Sequence, residues 1–230
     1  MLECLEGLCL GVVRIFAYGS LMYEPELAEE IIGREWVRLS GHRRAFNKWS
    51  VVRGCHPSAA RWPEIEVPPF FCTERLNRSL VLGTEPGGEI VGINLVYPEL
   101  AASELLRRYD RREGFYPKRN PAASGYLRRL VSVLRLDTGE ASQAWTYLRN
   151  PASDFYRPGL EPETVVRVLA RATPGQQSTK KVKGIGYFLN IAQVLRQHQV
   201  ADAYVEALCS VIEREAGAWA SELRAQLRDD

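Results

Sequence analysis

The strongest constraint on this chain is a buried strand that must end at a glycine. The apolar run from Val12 to Phe16 leads into Phe16-Ala17-Tyr18-Gly19-Ser20-Leu21-Met22. Immediately afterwards, Glu24-Pro25-Glu26-Leu27-Ala28 predicts a helix start, with Pro25 in the first turn and acids at the positive end of the dipole. That helix would span Pro25 to Ile32 and turn Leu27, Ala28, Ile31 and Ile32 to one apolar face. A strand, a glycine turn and a helix N-terminus gather backbone N–H groups at one point, where they can hold a carboxylate or a developing oxyanion. Turns of this kind are also common as plain connections. The stretch gains meaning from a second one far downstream, Tyr109-Asp110-Arg111-Arg112-Glu113-Gly114-Phe115-Tyr116.

Trp36 to Leu39 and Ala45 to Val51 read as two strands around Gly41. Residues 54–69, rich in Pro, Gly and Ser, read as an irregular excursion. Short strands follow at Phe70-Phe71-Cys72 and Ser79 to Leu82, then a turn at Glu85-Pro86-Gly87-Gly88-Glu89. Ile90 to Tyr97 is a continuous apolar run suited to a central strand. Pro98 opens a helix with Ala102, Leu105, Leu106 and Tyr109 on one face, and Gly114 is its natural cap. Leu127 to Leu136 and Ala144 to Leu148 read as strands around Asp137-Thr138-Gly139-Glu140. Beyond Pro151 come helices at Pro162 to Ala172, Gly186 to Gln197 and Ala201 to Leu227, the last with Tyr204, Ala207, Leu208, Val211 and Ile212 on one face. Gly175 to Gly184 reads as a polar, basic loop. The expected class is α+β: a curved or closed mixed β-sheet with packed helices. The expected organisation is an α/β core over 12–150 and a helical C-terminal extension over 151–230, packed on the same domain.

At 230 residues and 46% hydrophobic content the chain can bury a proper core. A net charge of +2 favours neither nucleic acid nor membrane as partner. No apolar run reaches the roughly 18 residues that a membrane span requires, and the acidic start lacks the basic region of a secretory signal. The five cysteines, Cys4, Cys9, Cys55, Cys72 and Cys209, are scattered without a Cys-x-x-Cys pair. No disulfide framework or metal site is expected, and a reducing cytoplasm is the default compartment.

Glu113 is the sharpest single residue. At a helix C-terminus it faces the negative end of the dipole, and shielding by Phe115 and Tyr116 would raise its pKa from the usual value of about 4.3 towards that of a general base. The alternative is a solvated salt bridge with Arg111 or Arg112. There is no Gly-x-Ser-x-Gly elbow, His-Glu-x-x-His, Gly-x-Gly-x-x-Gly or Walker loop. An enzyme with this sequence is therefore expected to work without covalent nucleophile, metal or cofactor.

The motifs, taken in order, resemble a family. Phe16 to Met22 is similar to the Tyr-Gly-Ser-Leu signature of γ-glutamylcyclotransferases, most closely the glutathione-specific ChaC-type branch. Leu39-Ser40-Gly41-His42-Arg43-Arg44-Ala45-Phe46 with Arg53-Gly54, then Pro86-Gly87-Gly88 and the strand to Tyr97, resemble that branch's next blocks. Arg111 to Tyr116 falls where the family carries its catalytic glutamate. Trp145-Thr146-Tyr147-Leu148 resembles the late strand whose tyrosine lines the pocket, and Tyr187-Phe188-Leu189-Asn190 to Val205 resembles the helical tail.

The resemblance implies release of 5-oxoproline from a γ-glutamyl compound, the substrate's own α-amine attacking its γ-carbonyl. Glu113 would be the base. Backbone N–H groups around Tyr18, Gly19, Ser20 and Leu21 would hold the glutamyl carboxylate or the oxyanion. Tyr147 would hydrogen-bond the glutamyl head or serve as a core tyrosine, and Arg53 would meet a substrate carboxylate or form a surface salt bridge. The implied partner is a small γ-glutamyl substrate, and the oligomeric state is open. Phe115-Tyr116 stands where ChaC-type proteins commonly have a second glycine, and Cys55 follows Arg53-Gly54 where they usually have Thr. Those departures open the leaving group to cysteinylglycine, an amino acid or an amine. Two other readings are a γ-glutamyl-amine cyclotransferase of a biosynthetic pathway, and a non-catalytic module presenting Arg171 to Lys183 to an acidic partner.

Overall fold

A computed structural model describes residues 11–49, 79–116, 121–170 and 184–226, with 121 and 216–226 described by backbone alone. The strands are β1 (Val12–Ala17), β2 (Gly33–Trp49), β3 (Leu80–Pro98), β4 (Tyr126–Arg135) and β5 (Ala141–Arg149). The helices are α1 (Ala102–Glu113), α2 (Pro162–Ala170), α3 (Ile185–Gln197) and α4 (Ala203–Gln226). The strands close into a barrel in the order β1-β3-β2-β4-β5. β1 lies antiparallel to β3 from Val12↔Pro98 to Ala17↔Ile93, and β4 lies antiparallel to β5 from Tyr126↔Arg149 to Leu134↔Ala141. A parallel bridge between Ile15 and Trp145 closes the ring, which makes the sheet mixed. Among the described strands, closure leaves no open edge for stray pairing. The α+β class and the closed mixed sheet agree with the sequence reading. No helix among the described residues is long and apolar enough to cross a membrane.

The chain divides into two compact units: the described residues of Met1–Gly41 with Gly87–Ser153, and those of His42–Pro86 with Asp154–Asp230. In the first, Ile15, Ala17, Val37, Leu95, Val133 and Ala144 form a barrel core almost free of solvent. β1 and β3 approach closely at Gly92. A Cβ there would stand 2.3 Å from the Ala17 carbonyl oxygen and 2.8 Å from the Phe16 ring. Only glycine lets β3 pass β1 just where β1 runs into Tyr18 and Gly19.

In the second unit, Phe46 packs edge-on against Tyr187 and Phe188. Its N–H donates to the Tyr204 hydroxyl at 2.8 Å. Arg44 is fully buried and pairs with Asp202. Asp202 also caps α4, its Oδ1 accepting from the Val205 N–H at 3.0 Å. Val205, Leu208 and Val211 are the buried stripe of α4, whereas Ala207 of the expected stripe is exposed.

Three local expectations are corrected. The helix over Pro25 to Ile32 is absent: Leu27 adopts a left-handed conformation (φ 46°), and one 3₁₀ turn covers Ala28–Glu30. The Tyr97 hydroxyl takes the Glu26 carbonyl that a helix would have used, and the Tyr109 hydroxyl accepts from the Glu26 N–H. Leu27 is buried, but Ile32 is 62% exposed, so no shared apolar face forms. The strands on either side of Gly41 are one strand, and β3 runs unbroken through Glu85 to Glu89. Gly41, Gly87 and Gly88, all with φ near +80°, bend these strands without ending them. The excursion at 54–69, the strand at Phe70 to Cys72 and the loop from Gly175 up to Lys183 lie outside the described residues.

Gly92→Ala must push the Ala17 backbone or the Phe16 ring aside. Its expected cost is about 1–3 kcal/mol, read as a lower urea midpoint at unchanged slope; an unchanged midpoint would contradict the close approach.

Candidate active site

α1 forms because Leu105 and Tyr109 recur on its buried side while Glu104 is held on the outer side by Arg107 and Arg108. It stops at Gly114 (φ 67°), whose N–H returns to the Asp110 carbonyl. The Phe115 N–H donates to the same carbonyl at 2.9 Å. This cap leaves Asp110, Arg112 and Glu113 in the last turn of the helix, each with its own partners.

Arg112 is the hub. Its Nη1 donates to Glu26 Oε1 at 3.0 Å and its Nη2 to Ser20 Oγ at 3.4 Å. Glu24 Oε2 and Glu113 Oε1 each lie 3.6 Å from the guanidinium, whose side chain is 11% exposed. Burial works against the Arg112 charge, yet the carboxylates of Glu113, Glu26 and Glu24 outweigh it and hold the pKa above its ordinary value. The Glu113 side chain is 17% exposed, and the cation beside it is Arg112. Tyr116 is 37% exposed, and the Phe115 ring carries the Arg128 guanidinium 5.4 Å from its centroid.

The Tyr18-Gly19-Ser20-Leu21 segment is a 3₁₀ turn over Ser20–Met22 rather than the start of a long helix. The Met22 N–H closes that turn on the Gly19 carbonyl at 3.0 Å, and the Glu24 N–H reaches the Ser20 carbonyl at 2.8 Å. The N–H groups of Gly19, Ser20 and Leu21 come ahead of the first turn bond, where a helical turn supplies no internal acceptor. Tyr18 and Leu21 are buried. The Tyr18 hydroxyl donates to the Tyr147 carbonyl at 2.6 Å, which ties the end of β1 to β5.

The Tyr147 side chain makes a separate contact. Its hydroxyl donates to Asp110 Oδ1 at 2.8 Å, and Asp110 Oδ2 accepts from Arg128 Nη1 at 2.7 Å. Arg128 also lies 5.2 Å from the Trp145 ring centroid, so two aromatic faces hold its guanidinium. Burial pushes the Tyr147 pKa well above that of a free phenol. The hydrogen bond and negative charge of Asp110 push the same way, and the charge of Glu113 adds to them.

Behind the hub lies a tyrosine pair. The Glu26 N–H donates to the Tyr109 hydroxyl at 3.2 Å, and the Tyr97 hydroxyl donates to the Glu26 carbonyl at 2.8 Å. The two hydroxyls are 2.9 Å apart. Since Tyr97 has spent its proton on the carbonyl, Tyr109 is the donor between them. Desolvation raises both phenol pKa values.

The structure therefore brings the predicted residues together in two linked pairs: Ser20 with Glu113 through Arg112, and Tyr18 with Tyr147 directly. Arg53 lies outside the described residues. Asp110, Arg128 and Glu26 carry geometry that the sequence reading did not assign. Asp110 had a signal, since it precedes Glu113 by three positions and shares its helical face. Arg128 and Glu26 had none, because their partners are distant in sequence.

No family model and no curated protein matches the chain. Solved structures do. A crystal structure of the selenomethionine-labelled γ-glutamyl cyclotransferase specific to glutathione from yeast superposes with a TM-score of 0.66 at 15% identity, covering 88% of this chain and 96% of that one. A second crystal structure of the yeast protein gives 0.63 at 15% identity over 89% and 99%. The barrel with its packed helices is the γ-glutamylcyclotransferase fold.

Tyr109→Phe would remove the acceptor for the Glu26 N–H and the donor to Tyr97. With a part-buried N–H left unpaired and the bond to Tyr97 lost, the expected loss is about 1–3 kcal/mol of unfolding free energy in urea. A variant as stable as wild type would show that the Glu26 backbone does not depend on this pair.

Proposed function

We propose that the chain is a γ-glutamylcyclotransferase that releases 5-oxoproline from a γ-glutamyl compound, either glutathione or a γ-glutamyl amino acid. The observation that carries this reading is that Glu113 and Ser20 share the Arg112 guanidinium, within the fold of the yeast glutathione-specific enzyme. One helix end and one turn are thereby held in register, as a reaction needing both a base and an oxyanion site requires.

The chemistry follows from the substrate. Glu113 accepts a proton from the α-ammonium, and the free amine attacks the γ-carbonyl carbon of the same molecule. The carbonyl oxygen becomes an oxyanion facing the N–H groups of Gly19, Ser20 and Leu21. The bond to the leaving nitrogen then breaks as protonated Glu113 gives its proton to that nitrogen, and the second proton of the attacking nitrogen passes through the regenerated Glu113 carboxylate to the departing amine, giving 5-oxoproline and an ammonium leaving group. A tethered nucleophile can reach effective molarities of about 10⁵ M or more when well oriented. The protein's tasks are then to fold the glutamyl arm, relay protons from the attacking to the leaving nitrogen and stabilise one negative charge. Arg112 keeps Glu113 and the turn at a fixed separation while both act.

Glutathione, a series of γ-glutamyl dipeptides and a γ-glutamyl amine should be assayed for 5-oxoproline release. Glu113→Gln keeps the shape and removes the base, with an expected loss of about 10²–10⁴-fold. Release from one substrate class, lost in the variant, supports the assignment and identifies the leaving group. Activity that survives the variant contradicts the role of Glu113.

A further inference from the structure

We infer that Asp110 is a positioning residue that fixes the Tyr147 hydroxyl as a hydrogen-bond acceptor, so that the group bound against it is an N–H donor, the substrate's α-ammonium. The identity of that donor rests on the cyclotransferase reading; the direction of the hydroxyl rests on geometry alone.

A carboxylate paired with a guanidinium has no proton to give. Asp110 Oδ2 accepts from Arg128 and Oδ1 lies 2.8 Å from the Tyr147 oxygen, so the phenolic proton must point at Asp110. What remains on the Tyr147 oxygen is its lone pairs. A carboxylate or carbonyl placed against them would be repelled, whereas an ammonium would be held. The Tyr147 ring is also fixed in place. It is 3% exposed, its carbonyl accepts from the Tyr18 hydroxyl, and it lies 6.3 Å from the Tyr109 ring between centroids. The hydroxyl cannot escape the bond by swinging away. Arg128 lies against both the Phe115 and the Trp145 rings, 5.4 and 5.2 Å from their centroids, so the carboxylate has one cation and one phenol as its partners. The charge of Glu113 reaches Tyr147 as well, which places the proposed acceptor and the proposed base in the same small region.

An isosteric change separates this role from simple packing. In Asp110→Asn the guanidinium of Arg128, which only donates, draws the amide oxygen to its side and turns the amide NH₂ towards Tyr147. The hydroxyl then accepts from residue 110 and must point its own proton at the substrate. Two donors would face each other, an ammonium and a phenol. Tyr147→Phe removes the acceptor together with its bond to Asp110 and creates no such clash. Asp110→Asn is therefore expected to be the more harmful single change, with a fall of about 10- to 100-fold in kcat/KM, largely through KM. In the double variant the hydroxyl that causes the clash is gone, and activity should recover to the Tyr147→Phe level.

The protein labelled at the tyrosine 13Cζ position gives a readout independent of turnover, with the Tyr147 resonance assigned from Tyr147→Phe. A phenol donating to a carboxylate has partial phenolate character, so Asp110→Asn should move that resonance upfield. An unmoved resonance overturns the proposal whether or not the protein is active. A moved resonance with an Asp110→Asn defect that persists undiminished in the Tyr147→Phe background overturns the acceptor's part in substrate binding. Recovery in the double variant supports it. A moved resonance with no 5-oxoproline from any substrate would refute the cyclotransferase reading and leave the direction of the hydroxyl standing.

Discussion

One guanidinium holds the candidate site together. Arg112 meets Glu26, Ser20, Glu24 and Glu113 from a nearly buried position. Removing a charge from water costs several kcal/mol unless close partners replace the solvent, and here three carboxylates do so. Their combined field keeps Arg112 charged against its burial. The consequence is geometric. The turn after β1 and the end of α1 are about ninety residues apart in sequence, and a single planar donor spans both. With Arg112 lost, Glu113 and Ser20 would have no common reference point, and three carboxylates would repel one another.

Around that hub, proton direction is settled by simple rules. Tyr97 gives its proton to a carbonyl, so Tyr109 gives its own to Tyr97. Tyr147 gives its proton to a carboxylate, and Tyr18 gives its proton to the carbonyl of Tyr147. Four tyrosine hydroxyls thus have defined orientations without any mobile charge, and burial keeps the titrating members of the set neutral. In the proposed reaction, with Glu113 as the proton carrier, such surroundings would keep the neighbouring protons pinned.

How much of this was visible in the chain depends on whether the partner was local. The barrel strands were legible because continuous apolar runs such as Ile90 to Tyr97 are suited to little else, and α1 was legible from its spacing and from Gly114. The helix expected at Pro25 was not formed, because Tyr97 and Tyr109 compete for the Glu26 backbone from more than seventy positions away. Gly41 and Gly87-Gly88 suggested breaks because a positive φ usually ends a strand, yet in a strongly curved barrel it serves as a bend. Glu113 was singled out from its place at a helix end, and α1 does end there. The role of Asp110 depended on Tyr147, whose side chain arrives from another strand, so only the folded chain could disclose it.

In the proposed reaction the γ-carbonyl is attacked by the substrate's own amine and not by water. Incubation of wild-type protein with glutathione and a γ-glutamyl dipeptide in water enriched in 18O, followed by mass spectrometry of the released glutamyl group, separates the two directly. Intramolecular attack predicts 5-oxoproline carrying no 18O. Glutamate labelled in its γ-carboxylate would mean hydrolysis, and would rule out intramolecular attack.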